Sequence, residues 1–362
     1  MNKIVTKIAL ALLVMTCMMG QAEAQIVTTF ARNVTPGQQN GLYYSLPQTM
    51  LKLDFVIEET KLEKSPLADY AQNYMGNADV VEYETTEYKL IDVKMSTVAS
   101  PDPSALFFVT FGSARGGAKA LFDVMPNGII RSVGLGNAVG EETAVAPVKE
   151  EEQPEAPVAK ACSKDVTSLI TTGKSNGQLA KEVADKIEEI RKAKFYLISG
   201  DVEMASNPET FSMMYQKLEE MEDEYTQLLL GQRKSKTVVK TVYVIPNKET
   251  PVQTVARFSE YEGLTVGTAG SGETISVQTM SLNTTEAINA PSQSAIESMN
   301  YENKVFYRVP EQALVKVLRG NKPLAEERMT VNQLGALLMA PLQNTKLVFD
   351  TKTGQITNLI MQ

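Results

Sequence analysis

A chain of 362 residues with 35 basic and 43 acidic residues carries a formal charge of −8 and no concentrated basic run, which argues against nucleic acid binding by phosphate neutralisation. It has no histidine, so a Ser-His-Asp or Cys-His nucleophile, a typical zinc site and the commonest general base at neutral pH are excluded. Carboxylate-pair hydrolysis and lysine chemistry remain formally open, and the length suits two or three domains.

Lys3 and Lys7, the apolar run from Ile8 to Met19 and Ala22-Glu23-Ala24 before Gln25 predict a secretory signal over residues 1–24, with a run too short to span a bilayer. The competing reading is lipid attachment at Cys17, for which Thr16 is a poor preceding residue. No later segment has the length and apolarity of a transmembrane helix. Once the leader is removed only Cys162 is left, so no internal disulfide forms; the thiol is either unpaired in a linker or bonded to another chain.

Residues 25–140 read as an N-terminal β domain. Gly41-Leu42-Tyr43-Tyr44-Ser45-Leu46-Pro47-Gln48-Thr49 is an aromatic strand that meets a proline and resumes at Met50-Leu51-Lys52-Leu53. Proline has no N–H to give a ladder, so Pro47 marks an edge, a bulge or a corner. Leu51 to Glu58 alternates, and Ser65-Pro66 opens a short helix with Leu67, Tyr70 and Tyr74 inward, stopped by Gly76. Strands follow at Tyr83 to Met95 and Leu106 to Phe111, the latter apolar on both faces and so central, and Met125-Pro126-Asn127-Gly128 closes a hairpin. The glycine clusters at 112–119 and 134–140 fail as nucleotide sites: Ala118 stands where a phosphate loop needs lysine, and no helix can start after Gly140.

Residues 141–165, with Glu150-Glu151-Glu152, Pro147, Pro154 and Pro157, form an acidic Pro-rich linker by composition. Residues 166–235 hold a helical hairpin. Asn176 caps the first helix, whose stripe is Leu179, Val183, Ile187, Ile190, Ala193 and Leu197, with Glu182-Lys186 and Glu188-Lys192 pairs outside; Gly200 ends it. Asn207 and Pro208 start the second, with Phe211, Met214, Leu218, Met221, Tyr225 and Leu228 on one stripe before Gly231. Its acidic run Glu219-Glu220 and Glu222-Asp223-Glu224 is read as a solvated face, with a partner face as the sharper alternative.

Residues 236–362 return to β texture. Val238 to Ile245 is β-branched, Ile275 and Val277 alternate with polar neighbours, and Val305-Phe306-Tyr307-Arg308-Val309-Pro310-Glu311-Gln312 repeats the aromatic strand running into proline. A turn follows at Gly320-Asn321, then Asn332-Gln333-Leu334-Gly335, and a last hairpin from Lys346 to Met361. A second echo joins the halves: Phe122-Asp123 with Gly128, Phe349-Asp350 with Gly354, and a weaker Phe258-Ser259 with Gly263. In each, the Asp or Ser bonds its own turn and glycine supplies the positive φ. The expected class is α+β: two mostly antiparallel β domains related by duplication, with an αα-hairpin between them.

With the first aromatic strand, the middle helices, Tyr307-Arg308-Val309-Pro310, Asn332-Gln333-Leu334-Gly335 and Phe349-Asp350-Thr351-Lys352-Thr353-Gly354 in place, the chain resembles an uncharacterised exported Bacteroidota family, the domain of unknown function 4831 family. The resemblance covers nearly all of the chain beyond the leader. It implies a Gram-negative periplasmic or outer-membrane-associated location and brings no catalytic residues, cofactor or metal. The linker looks like a local elaboration.

Three functions fit this reading. The first is a non-enzymatic envelope protein binding another envelope protein, since no complete catalytic or cofactor motif is present. The second is a ligand or glycan receptor using Tyr43, Tyr44, Phe306 and Tyr307 as stacking surfaces, against which strand alternation puts such rings in the core. The third is a carboxylate hydrolase built on Asp123 and Asp350, both better placed as turn residues.

The leader reading predicts a mature protein that begins at Gln25 and carries no lipid. Intact mass of material recovered from envelopes checks this, and a diacylated Cys17 would contradict it.

Overall fold

A computed structural model describes residues 26–35, 40–76, 79–111, 122–134, 174–199, 208–286, 288, 290, 296, 301–342 and 345–361. The leader, Cys162, the linker, the glycine clusters at 112–119 and 135–140, Gly200 and Asn207 lie outside them. Five strands make a first sheet: β1 (Ile26–Phe30), β2 (Gly41–Glu63), β3 (Thr85–Phe111), β6 (Gln232–Val244) and β10 (Tyr301–Glu302), in the order β10-β1-β3-β2-β6. A second, β12-β11-β9-β7-β8, joins β7 (Val252–Ser259), β8 (Gly263–Val266), β9 (Glu273–Ser281), β11 (Lys304–Arg319) and β12 (Lys322–Pro341). A third, β14-β13-β5-β4, joins β4 (Phe122–Val124), β5 (Ile130–Val133), β13 (Thr345–Phe349) and β14 (Ile356–Met361), which leaves the last strand at a sheet edge. Among the described residues the α part of the α+β fold is helices α1 (Ala68–Met75), α2 (Asn176–Ser199) and α3 (Pro208–Leu230).

The strand pairs are antiparallel, as the short turns require, but the two β stretches do not form separate bodies. β6 of the C-terminal stretch pairs along β2, and β13 pairs with β5. The reason is length. β2 and β3 have 23 and 27 residues, and at about 3.3 Å per residue such strands outrun any one domain core. Each long strand therefore serves two cores. Tyr44, Leu46, Phe107, Phe306, Tyr307, Ala340, Leu347 and Phe349 meet in one. Leu51, Leu53, Phe55, Val242, Phe258, Ile275, Val315, Val317 and Met329 meet in the other. Both cores draw on both halves of the sequence, so the boundary between them crosses the strands instead of following the chain.

That boundary is where the prolines fall. In the first ribbon Ser45 pairs with Leu106 and Pro47 with Pro101, so four residues, Asp102 to Ala105, stand opposite Leu46. In the second ribbon Val309 pairs with Ala336 and Glu311 with Val331, so four residues, Asn332 to Gly335, stand opposite Pro310. The expected interruption between two strands at 83–95 and 106–111 is thus a bulge inside one continuous β3, since a bulge beside Pro47 lets the ladder slip without ending. The matched bulges also move the echo by one residue. Tyr43, three before Leu46, is the counterpart of Tyr307, three before Pro310.

The two bulges lock together. Arg308 Nη1 donates to Asp102 Oδ2 at 2.8 Å, where Asp102 is buried and the Arg308 side chain is 10% exposed; Asp102 Oδ1 also accepts from Ser104 N and Oγ at 2.9 and 2.6 Å. Across the junction Gln333 Oε1 accepts from Thr49 N at 2.8 Å and Gln333 Nε2 donates to Thr49 O at 2.9 Å, while Asn332 N donates to Thr49 Oγ1 at 2.9 Å. Gly335 is required here: a Cβ would overlap Val309 O. The hairpin turns dock on the same place. Ser45 N donates to Gly128 O at 2.8 Å, Ala99 N to Lys352 O at 2.7 Å, and Asn332 Nδ2 to Thr353 O at 3.0 Å.

The turn echo survives as three hairpins, β4-β5, β7-β8 and β13-β14, with Gly128, Gly263 and Gly354 in the left-handed region and Phe122, Phe258 and Phe349 buried. In the helices the expected inward Tyr74 is exposed, and Ala71 fills that place. The cap of α2 is Ser175, not Asn176: Gln178 N donates to Ser175 Oγ while Ser175 N donates to Gln178 Oε1, a reciprocal box. Lys186 pairs with Glu189 instead of Glu182, which Lys174 takes; Glu188-Lys192 forms as expected.

One carboxylate holds a loop. Glu311, two percent exposed, accepts from Thr284 N and Oγ1, both at 2.7 Å, and from Thr285 N and Oγ1 at 3.0 and 2.5 Å. Burial alone would raise its pKa, yet the four donors hold it at about 2.

Two outcomes follow from this architecture. Protease should cut first within 141–165, and the two pieces should still co-elute on size exclusion, because β6 and β13 bind them across the cut; separate elution would contradict the shared sheets. The depressed Glu311 pKa contributes stability that is fully present above the unfolded value and is lost as pH falls through the folded one, worth at most about 3 kcal/mol. Urea unfolding from pH 5 to 2 should therefore be less pH-dependent in Glu311→Gln than in the wild type, and equal slopes would contradict the pinning.

Candidate interaction surfaces

The four aromatics proposed as a stacking surface do not share one. Tyr44, Phe306 and Tyr307 are buried. Phe107 stacks on Phe306 at 4.5 Å and on Tyr44 at 5.3 Å, and Phe306 N donates to Tyr44 Oη at 3.2 Å. Burial pushes the Tyr44 phenol well above its ordinary range, against the smaller opposite pull of that N–H, so it stays protonated. Both members of the Phe306-Tyr307 pair are buried because this part of the ribbon is covered on both faces, which simple alternation does not foresee. Only Tyr43 reaches solvent, 43% exposed, with its ring 4.5 Å from Phe108. It lines a groove of about 390 Å³ with Arg32, Val34, Pro103, Ser104 and Leu106, so the first bulge shapes one wall.

The carboxylates are occupied. Asp350 Oδ1 accepts from Lys352 N, Thr353 N and Thr353 Oγ1 at 2.8, 2.7 and 3.0 Å; these bonds, led by Thr353 N, hold its pKa low, in the turn role expected of it. Asp123 is not a turn residue. It lies on β4 paired to Arg131 at 3.3 Å, and the turn is closed by Asn127, whose Oδ1 accepts from Ile129 N. Asp102 and Glu311, neither of them singled out by sequence reasoning, are spent on the junction and the loop. Among the described residues no group of three or more Asp, Glu or Cys is placed to hold a metal.

The helical hairpin differs at its two ends. At its base Leu67 and Ala71 of the α1 region pack on Leu179, Ala180, Val183, Tyr225 and Leu229, and Ser65 Oγ donates to Leu228 O. Midway, Arg191 and Lys194 both clamp Glu222, at 2.6 and 2.8 Å. The acidic run on α3 is therefore partly an internal clamp, and not one free partner face. Lys194 and Arg191 are the main counter-charges that lower the Glu222 pKa, after burial, which opposes them.

At the far end the stripe pattern fails. Phe195, Tyr196, Ile198 and Met213 are 52 to 67% exposed, while Leu197 alone of that run turns inward. The rise from Val183 to Ile198 is roughly 22 Å at about 1.5 Å per residue, so this apolar end stands well clear of the base. Phe211 stacks on Tyr215 at 6.2 Å beside it, and Lys194 lies over Tyr215 at 5.4 Å. The signal was present in the sequence: Phe195-Tyr196-Leu197-Ile198 is four apolar residues in a row, covering every side of a helix that elsewhere keeps one apolar stripe. No helix among the described residues is long and apolar enough to cross a membrane.

No curated protein and no solved structure matches the chain. The matching family is described only as a domain of unknown function, and its model runs over residues 40–357, from the start of the first aromatic ribbon through both bulges and the hairpin into the last strand. The chain belongs to that family, DUF4831.

Proposed function

We propose that the protein is an exported, non-enzymatic component of a Gram-negative cell envelope, periplasmic or outer-membrane-associated, that binds another envelope protein through the end of its helical hairpin. The N-terminal sequence supports export. The observation that carries the binding role is the apolar hairpin end, where Phe195, Tyr196, Ile198 and Met213 each expose a large side chain. Scattered single apolar residues are ordinary on a surface, whereas large exposed side chains concentrated near one end of a helix pair, with Phe195 and Tyr196 in edge contact at 6.1 Å, are a cost to a free protein and a hot-spot composition for a bound one. Against the carboxylate hydrolase built on Asp123 and Asp350 stand the pairing of Asp123 with Arg131 and the turn hydrogen bonds of Asp350.

Affinity isolation from crosslinked envelopes should yield a stoichiometric envelope protein with the wild type and lose it with the Phe195→Glu, Ile198→Glu double variant. Both side chains are exposed, so the variant should stay within about 0.5 kcal/mol of wild-type stability. Equal capture by the folded variant would overturn the assignment.

A further inference from the structure

A second groove lies where the far end of the β2-β3 ribbon meets the turn between β7 and β8, joined by Tyr88 N donating to Glu260 O at 2.7 Å. It has a volume of about 500 Å³, within the range of small-molecule sites. Tyr88, Tyr261, Phe258 and Arg319 are among its lining residues. Tyr261 is 72% exposed. Tyr88 is held by the turn: a Cβ on Gly263, whose φ is +70°, would come within 3.0 Å of the Tyr88 ring. The Arg319 guanidinium lies 4.9 Å over the Phe258 ring and pairs with Glu273 at 2.5 Å, so its position is fixed.

The polar lining is mixed in sign and partly unused. Glu58, Glu87 and Glu260 line the groove and make no side-chain hydrogen bond or ion pair among the described residues, with Glu58 directly opposite Lys89 in the β2-β3 ladder, while Glu59 and Glu63 on the same ribbon are paired to Lys236 and Lys234. Lys89 stands at the rim. A simple cation would meet Arg319 and Lys89, and an anion would meet three carboxylates. A polyol satisfies both signs, because each hydroxyl donates to a carboxylate and accepts from an ammonium or guanidinium. The apolar C–H face of a sugar ring suits an exposed tyrosine ring, which supplies contact area at little entropic cost.

We propose that this groove binds a saccharide, with a hexose ring stacked on Tyr261 and its hydroxyls held by Glu58, Glu87 and Glu260 and by Arg319. The site is separate from the hairpin end and does not depend on the protein-binding role. Saturation-transfer NMR on the full protein with glucose, galactose, mannose and N-acetylglucosamine tests it. At least one sugar should receive saturation on its ring C–H protons. Tyr261→Ala should weaken that sugar at least tenfold with an unchanged melting midpoint, Glu87→Gln should weaken it several-fold, and the Phe195→Glu, Ile198→Glu variant should leave it unchanged. No transfer to any of the four sugars, or equal transfer with Tyr261→Ala, overturns the proposal, as does binding of spermidine at the same residues in preference to all four.

Discussion

The missing N–H of proline, set in strands long enough to thread two cores, is the constraint on which this fold turns. A strand of 23 residues cannot stay flat and central along its whole length. Pro47 and Pro310 each fall where the ladder must slip, and the partner strand answers with four residues facing one. The slip bends the ribbon and lets its two parts turn toward different cores. It also frees backbone groups that must find partners, and those partners come from the other ribbon.

That exchange explains why buried polar residues concentrate at the junction. Asp102 and Arg308 form an ion pair that gives the buried Asp102 carboxylate a counter-charge beside its two Ser104 hydrogen bonds. Gln333 replaces the strand that Thr49 lacks by giving both an acceptor to its N–H and a donor to its carbonyl. Such pairs add little net stability over apolar packing, but they accept only one register, and register is what long ribbons most easily lose. The same junction receives the turns closed by Gly128 and Gly354, so sheets, hairpins and bulges are fixed by one set of contacts.

Much of this was legible in the chain. Pro47 and Pro310 announced a bulge or corner, the Phe-Asp and Phe-Ser turns with their glycines announced hairpins, and the two helical stripes announced the αα-hairpin. What stayed hidden were the long-range choices. Nothing local to Val238 shows that its strand pairs with Val56 or Ile57, and nothing near Leu347 points to Val133. The family motif Asn332-Gln333-Leu334-Gly335 could be quoted but not explained, since its meaning lies in Thr49 and Val309 across the junction. The stacking surface failed for a related reason. Alternation predicts one buried ring per pair, and only a second covering layer buries Phe306 and Tyr307 together. The hairpin end and the Tyr88-Tyr261 groove were missed because each is defined by what does not cover it.

The central claim is that two cores share four bulged strands and therefore unfold together. Calorimetry of the wild type and Gly335→Ala tests it most directly, because the added methyl strikes Val309 O at the junction and touches neither core. The account predicts one β transition in the wild type, with calorimetric and van't Hoff enthalpies in agreement, and its displacement as a whole to lower temperature in the variant. Two separable β transitions in the wild type, or a variant in which one moves and the other stays, would contradict it.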